Sequence, residues 1–160
     1  MFSKTISLLP SPILLAADQL LQTYTIAAVR DKNHYRFGLI SHDQETPENT
    51  HYCLLSFQAW PADSLVEAKY FVPEICGTGR KYWSAALFYL LTSYTAAKSG
   101  LTSGRIQLEC KPEVFSEFYS KLRPYQFIGP MNKPSSYDTY IGKYTNVGLD
   151  ALALSSIKSW

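Results

Sequence analysis

The sequence is poor in charge, and the charge it has nearly cancels: 18% of residues are Asp, Glu, Lys or Arg, with 15 Lys and Arg against 13 Asp and Glu, a formal net charge of +2. With no dense Lys/Arg run, there is no electrostatic footprint for nucleic acid. No stretch approaches the roughly 18 uninterrupted apolar residues that a membrane-spanning helix needs. The three cysteines, Cys53, Cys76 and Cys110, have no CxxC spacing. That excludes a sequence-evident disulfide framework or zinc ribbon, and the odd count fits a reducing, cytoplasmic compartment. The histidines are also three, and His42 and His51 with Asp43 or Glu45 have no recognised metal spacing. The segment GTGRKYW lacks the span and the Lys-Ser/Thr pair of a Walker loop, and Asn49-Thr50-His51 is not a glycosylation acceptor. Pro10 and Pro12 interrupt the apolar N-terminus MFSKTISLLPSPILLAADQ, which therefore reads as strand, turn and helix rather than as a leader.

The abundant residues are those of a folded domain. The hydrophobic fraction is 46%, and 12 tyrosines raise the aromatic fraction to 14%. A chain of 160 residues can bury a core without staples, and tyrosines suit a half-buried sheet or a pocket wall. The pattern predicts a strand over 3–9 and a helix from Ser11-Pro12 with Leu14, Leu15, Leu20 and Leu21 inward. Residues 24–31 fit either a helical extension or a strand. Strands follow at Tyr35–Ser41, His51–Trp60 and Leu65–Val72, with HDQETPENT as a loop. Over Arg80–Ser99 the stripe Tyr82, Ala86, Leu90 and Tyr94 predicts a helix, stopped by Lys98 and Gly100. Next come a strand at Arg105–Cys110 and a helix from Pro112 and Glu113 through Phe115, Phe118 and Leu122 to Pro124. Strands at Tyr125–Gly129 and Tyr137–Tyr144 complete the order. Residues 1–145 read as a single domain and 146–160 as a C-terminal tail with a short helix at 149–157. The fold class is α/β or α+β, with a mixed, mostly antiparallel central sheet flanked by helices.

One segment carries chemistry. ICGTGRKYW places two glycines directly before a long helix. Unpaired N–H groups and the positive end of a helix dipole favour an anion, and glycines let the backbone approach it. Arg80 and Lys81 add two cations where they oppose the dipole unless an anion is near. The same residues also suit a plain tight turn with a solvated basic pair. Cys76 has a setting that lowers a thiol pKa, but also that of an ordinary turn cysteine.

The run Val72-Pro73-Glu74, Gly77-Thr78-Gly79, the helix, the strand Arg105–Cys110 and then Glu117-Phe118-Tyr119-Ser120-Lys121-Leu122 resembles the second half of the GCN5-related N-acetyltransferase fold, over residues 66–144. The resemblance implies an acyl-CoA N-acyltransferase-like domain that takes acetyl-CoA or another acyl-CoA and an amine acceptor, which can be a protein. It implies that Gly77, Thr78, Gly79, Arg80 and Lys81 hold the pyrophosphate and that Tyr119 is the general acid toward the leaving thiolate. For the base, Glu67 and Glu74 lie in or just after the preceding strand. Tyr119 reads equally well as a packing residue beside Phe115, and Glu67 as a solvent-facing glutamate. Tyr35, Trp60, Tyr70 and Trp83 are candidates for the acceptor side. The sequence departs from the family pattern at three places: the glycine motif has no leading Arg or Gln, Pro112 stands where many members have Asn, and Arg123-Pro124 replaces Gly-Phe. Two other readings stay open: transfer of longer acyl chains from an acyl carrier protein, and a catalytically inactive domain that binds a macromolecular partner.

Overall fold

In the computed structural model, residues 8–42, 50–51, 54–73, 75, 80–131 and 137–160 are described. Their elements run α1 (Ser11–Thr23), β1 (Tyr24–Asp31), β2 (His34–Ser41), β3 (Thr50–His51), β4 (Leu54–Trp60), β5 (Leu65–Val72), α2 (Trp83–Lys98), β6 (Ser103–Cys110), α3 (Pro112–Glu117), β7 (Asp138–Thr145), α4 (Asp150–Ser156) and β8 (Ile157–Ser159). The strands make one mixed sheet in the order β7-β6-β5-β4-β2-β1-β8, with β3 pairing β2 beside β4. Only β5–β6 and β1–β8 pair in parallel. The expected mixed, mostly antiparallel sheet with helices is therefore observed.

The ambiguous segment 24–31 is strand. α1 stops at Thr23, and Tyr24 is extended while its N–H still reaches Leu20 O. Tyr, Thr, Ile and Val there suit a pleated surface better than a helical turn. The inward face of α1 is Ile13, Ala16, Ala17 and Leu20, so of the four leucines expected inside only Leu20 is fully buried, and Leu15 is exposed. The strand expected over 3–9 falls mostly outside the described residues. Leu8 and Leu9 are not strand; the Leu8 N–H bonds Val147 O at 3.2 Å.

α2 is buried on all sides from Ala86 to Ala96, not along one stripe, because α1 and α4 pack beside it while the sheet lies beneath. It begins at Trp83, three residues after the expected Arg80. It ends as predicted: Gly100 has φ 72° and donates to Ala97 O, and Leu101 donates to Ala96 O, closing a Schellman motif. The second predicted helix breaks early. α3 stops at Glu117, Phe118 is non-helical (φ −125°, ψ −68°), and a 3₁₀ turn follows at Tyr119–Lys121. The strand expected at 125–129 reduces to one bridge, Ile128 to Ile141, because Gln126 takes a left-handed φ of 53° that ends any extended run. The last 15 residues pack on the domain: Val147, Leu149, Ala153 and Ile157 are buried, and β8 extends the sheet beside β1.

One face of the sheet carries Ile26, Ala28, Tyr35, Phe37, Leu39, Phe57, Val66, Ala68, Ile106 and Leu108, all buried. Rings from α2 pack against it: Phe88 on Phe57 and Tyr94 on Phe37. Phe115 of α3 stacks on Tyr140 of β7, which is paired with Leu108 on this same face. On the opposite face strand alternation places His34, Arg36, Ser56, Gln58, Trp60, Glu67 and Tyr70. No described helix is long and apolar enough to cross a membrane.

Gly104 is the tightest point of the scaffold. It has φ 153°, and a Cβ there would lie 2.0 Å from Ser64 O, itself accepting from the Arg105 N–H at 2.8 Å. Gly104→Ala is expected to destabilise the domain by about 3 kcal/mol, because backbone must move and the φ is strained. Gly100→Ala, with nothing within 4 Å of the added atom, should cost only ~1 kcal/mol. Urea denaturation of both variants checks the difference, and equal losses would refute it.

Candidate functional site

The site is built where β5 and β6 part. They pair in parallel from Leu65 with Arg105 to Ala68 with Leu108. Beyond that rung β5 runs on to Val72 and β6 to Cys110 without further pairing. Just beyond that last rung, a register shift between Ser56 and Phe57, opposite Ala68–Tyr70, loosens the β4–β5 ladder as well. Chain continues from β5 through residues 73–82 into α2, so the start of that helix belongs to the same crossover.

Among the five residues expected to hold a pyrophosphate, Gly77, Thr78 and Gly79 lie outside the described residues, as do Cys76 and Glu74. Arg80 and Lys81 lie before the first turn of α2, not within it. The Arg80 guanidinium sits 4.7 Å from the centre of the Trp83 ring, and Lys81 Nζ lies 5.4 Å from the Tyr82 ring. Such stacking holds the cationic heads near the helix start without neutralising them. Trp83 is fixed in turn: its Nε1–H donates to Gln19 Oε1 at 3.4 Å and its ring meets Tyr24 edge-on. The residue at the N-cap of α2, Tyr82, makes no side-chain capping bond.

Tyr119 lies on the helix-covered side. It is 6% exposed, and its ring is packed by Phe88, Phe118 and Phe127 at 5.5, 4.9 and 6.1 Å. Burial, with a smaller contribution from Cys110, holds its hydroxyl pKa well above the ordinary phenol value. Cys110, at the end of β6, is pushed up to about 11 by burial and then by Asp138, so it is an inert thiol. Phe71 of β5 stacks on Phe118 at 6.0 Å and meets Phe88 edge-on at 5.0 Å. These rings pack together on the helix-covered side of β5.

Glu67 projects from the other face. It is half-buried, accepts from Trp60 Nε1–H at 3.1 Å and pairs with Lys69 at 3.7 Å. The structure therefore does not bring Tyr119 and Glu67 side by side; they flank the parting from opposite faces of the sheet. Of the four aromatics expected on an acceptor side, Tyr35 and Trp83 are core, whereas Trp60 and Tyr70 are exposed on the Glu67 face.

His34 and His42 each have partners of their own, and Cys76 lies outside the described residues. His42 Nδ1–H donates to Gln22 O at 2.8 Å, which leaves Nε2 to accept from Thr25 Oγ1 at 2.9 Å, a strap between β2 and the end of α1. His34 Nε2 is 2.5 Å from Ser56 Oγ. Sequence reasoning missed this pair: the residues lie 22 positions apart on different strands, and no spacing rule joins them. Among the described residues no group of three His, Cys, Asp or Glu could hold a metal. No family model matches the chain, and no curated protein matches it.

Proposed function

We propose that the chain is an acyl-CoA-binding domain of the GCN5-related type that transfers an acetyl or other acyl group to an amine acceptor. The observation that carries this reading is the parallel β5–β6 pair that parts beyond Ala68 and Leu108 and is joined through a helix with two cations at its start. A parted parallel pair exposes unpaired backbone donors and acceptors to an extended, amide-containing chain such as the pantetheine arm. Arg80 and Lys81, with Gly77, Thr78 and Gly79, would hold the phosphates at the start of α2. Glu67, on the face with Trp60 and Tyr70, would draw a cationic amine close and take its proton through a water. Tyr119 would give a proton to the leaving thiolate. Burial keeps its hydroxyl protonated well into the alkaline range. The odd cysteine count fits a reducing, cytoplasmic compartment for this activity.

A second reading has its own observation. Tyr119 is almost fully enclosed, and Phe71 is stacked on Phe118 on the helix side of the sheet. These favour a non-catalytic domain that uses the fold to bind a macromolecule. Thiol release from acetyl-CoA in the presence of a panel of amines separates the two. The acyltransferase reading expects turnover that Tyr119→Phe lowers by at least about 100-fold with little change in KM for acetyl-CoA. Unchanged turnover would remove Tyr119 from the mechanism, and no turnover with any amine would favour the binding protein.

A further inference from the structure

The face of the sheet without described helices carries a constellation that the acyl-CoA reading does not use. Ser56 and His34 are on adjacent strands, offset by one residue pair: Arg36 is the register partner of Ser56, and Gln58 that of His34. The Ser56 Oγ to His34 Nε2 distance of 2.5 Å is shorter than an ordinary hydrogen bond between nitrogen and oxygen and puts the two atoms in direct contact. Asp31 is the register partner of His34 across the β1–β2 hairpin and therefore stands on the same face of the sheet. Ser56 also stands at the β-bulge, opposite Tyr70 of β5. A nucleophile needs a base in hydrogen-bond contact, a group to orient the base, and a positive charge or donor where an oxyanion forms. Ser56, His34, Asp31 and Arg36 supply residue types for these roles in one patch of sheet.

We propose that Ser56 is a nucleophilic serine activated by His34, and that the protein accepts small acyl groups from esters or thioesters onto its Oγ. As Ser56 Oγ adds to the acyl carbonyl carbon, its proton passes to His34 Nε2, and Arg36, the register partner of Ser56, offers its charge to the developing oxyanion. Collapse of the tetrahedral adduct breaks the bond to the leaving alkoxide or thiolate, which takes the proton back from His34. An acyl ester of Ser56 remains. Water then attacks that ester with His34 again accepting the proton, and Ser56 regains it as the carboxylic acid leaves. Since Ser56 is only 8% exposed, the donor's acyl group must be small, of acetyl size.

The test uses 4-nitrophenyl acetate, so it does not depend on CoA binding. Nitrophenolate release is followed by absorbance, and acetylated peptides are mapped by mass spectrometry. The expected result is release, or acetyl on Ser56, that is lost in Ser56→Ala and reduced at least about 100-fold in His34→Gln, which keeps a polar side chain but has no basic nitrogen. Circular dichroism and thermal melting of both variants separate loss of chemistry from loss of fold. Release equal in wild type and folded Ser56→Ala, or acetyl found only on lysine or cysteine, overturns the proposal. Equal acetylation of Ser56 in His34→Gln overturns the role of the histidine. A protein that acylates Ser56 but ignores acetyl-CoA would keep this inference and refute the acyl-CoA reading; the reverse outcome would do the opposite.

Discussion

Replacing Phe88 by alanine should destabilise the domain by about 3–5 kcal/mol and lower the melting temperature by roughly 10 °C. Phe88 is completely buried, and its ring lies within 5.0–6.5 Å of the rings of Phe57, Phe71, Phe118, Tyr119, Tyr125 and Phe127. It joins α2 to two central strands and to the irregular segment after α3. Truncation leaves a cavity that six rings border, and rings relax into a void poorly because each has few rotamers. Phe88→Leu keeps most of the volume and should cost under about 1.5 kcal/mol. Urea unfolding of the two variants gives the comparison. A loss below 1.5 kcal/mol for the alanine would mean that the aromatic cluster is not the keystone described here.

Reversing charge at Arg80 and Lys81 together, Arg80→Glu with Lys81→Glu, is expected to weaken acetyl-CoA binding at least about 100-fold, or 2.8 kcal/mol. Two carboxylates would then stand where phosphates are to be held. Stability should change little. Lys81 is exposed, and losing the Arg80 stack on Trp83 should cost only about 0.5–1 kcal/mol. Affinity of the unaltered protein should also fall as salt rises, since phosphate contacts near the surface are screened. An affinity unchanged in the folded double variant would take the phosphates away from the start of α2.

The parts of the fold that were legible are those in which one local rule dominates. Leu65–Val72 is a strand with the predicted bounds because apolar and polar residues alternate where one face is buried. The end of α2 was readable because Gly100 supplies a left-handed residue that few others tolerate. Its burial was not. A helix enclosed by sheet and two other helices has no polar side, so a stripe is only part of its buried surface. At Phe118 local pattern misled: the spacing of Phe115, Phe118 and Leu122 fits a helix, but the Phe118 ring is drawn against Phe71 and Phe88, and the backbone leaves helical geometry there. β8 is three residues long and gains its place only by pairing with β1, which no window of sequence can reveal. In the candidate site, Arg80, Lys81 and Glu67 could be named in advance because charge beside a glycine turn or within an apolar strand is a local feature. The parting of β5 from β6, the stacking of Phe71 on Phe118, and the contact of His34 with Ser56 arise from register between distant segments.

The most direct test of the central claim is calorimetric titration of the protein with acetyl-CoA, with a dephosphorylated CoA as control. The account predicts saturable one-to-one binding that weakens when phosphate is removed. No heat and no thermal shift at millimolar acetyl-CoA, with the protein folded, would contradict it.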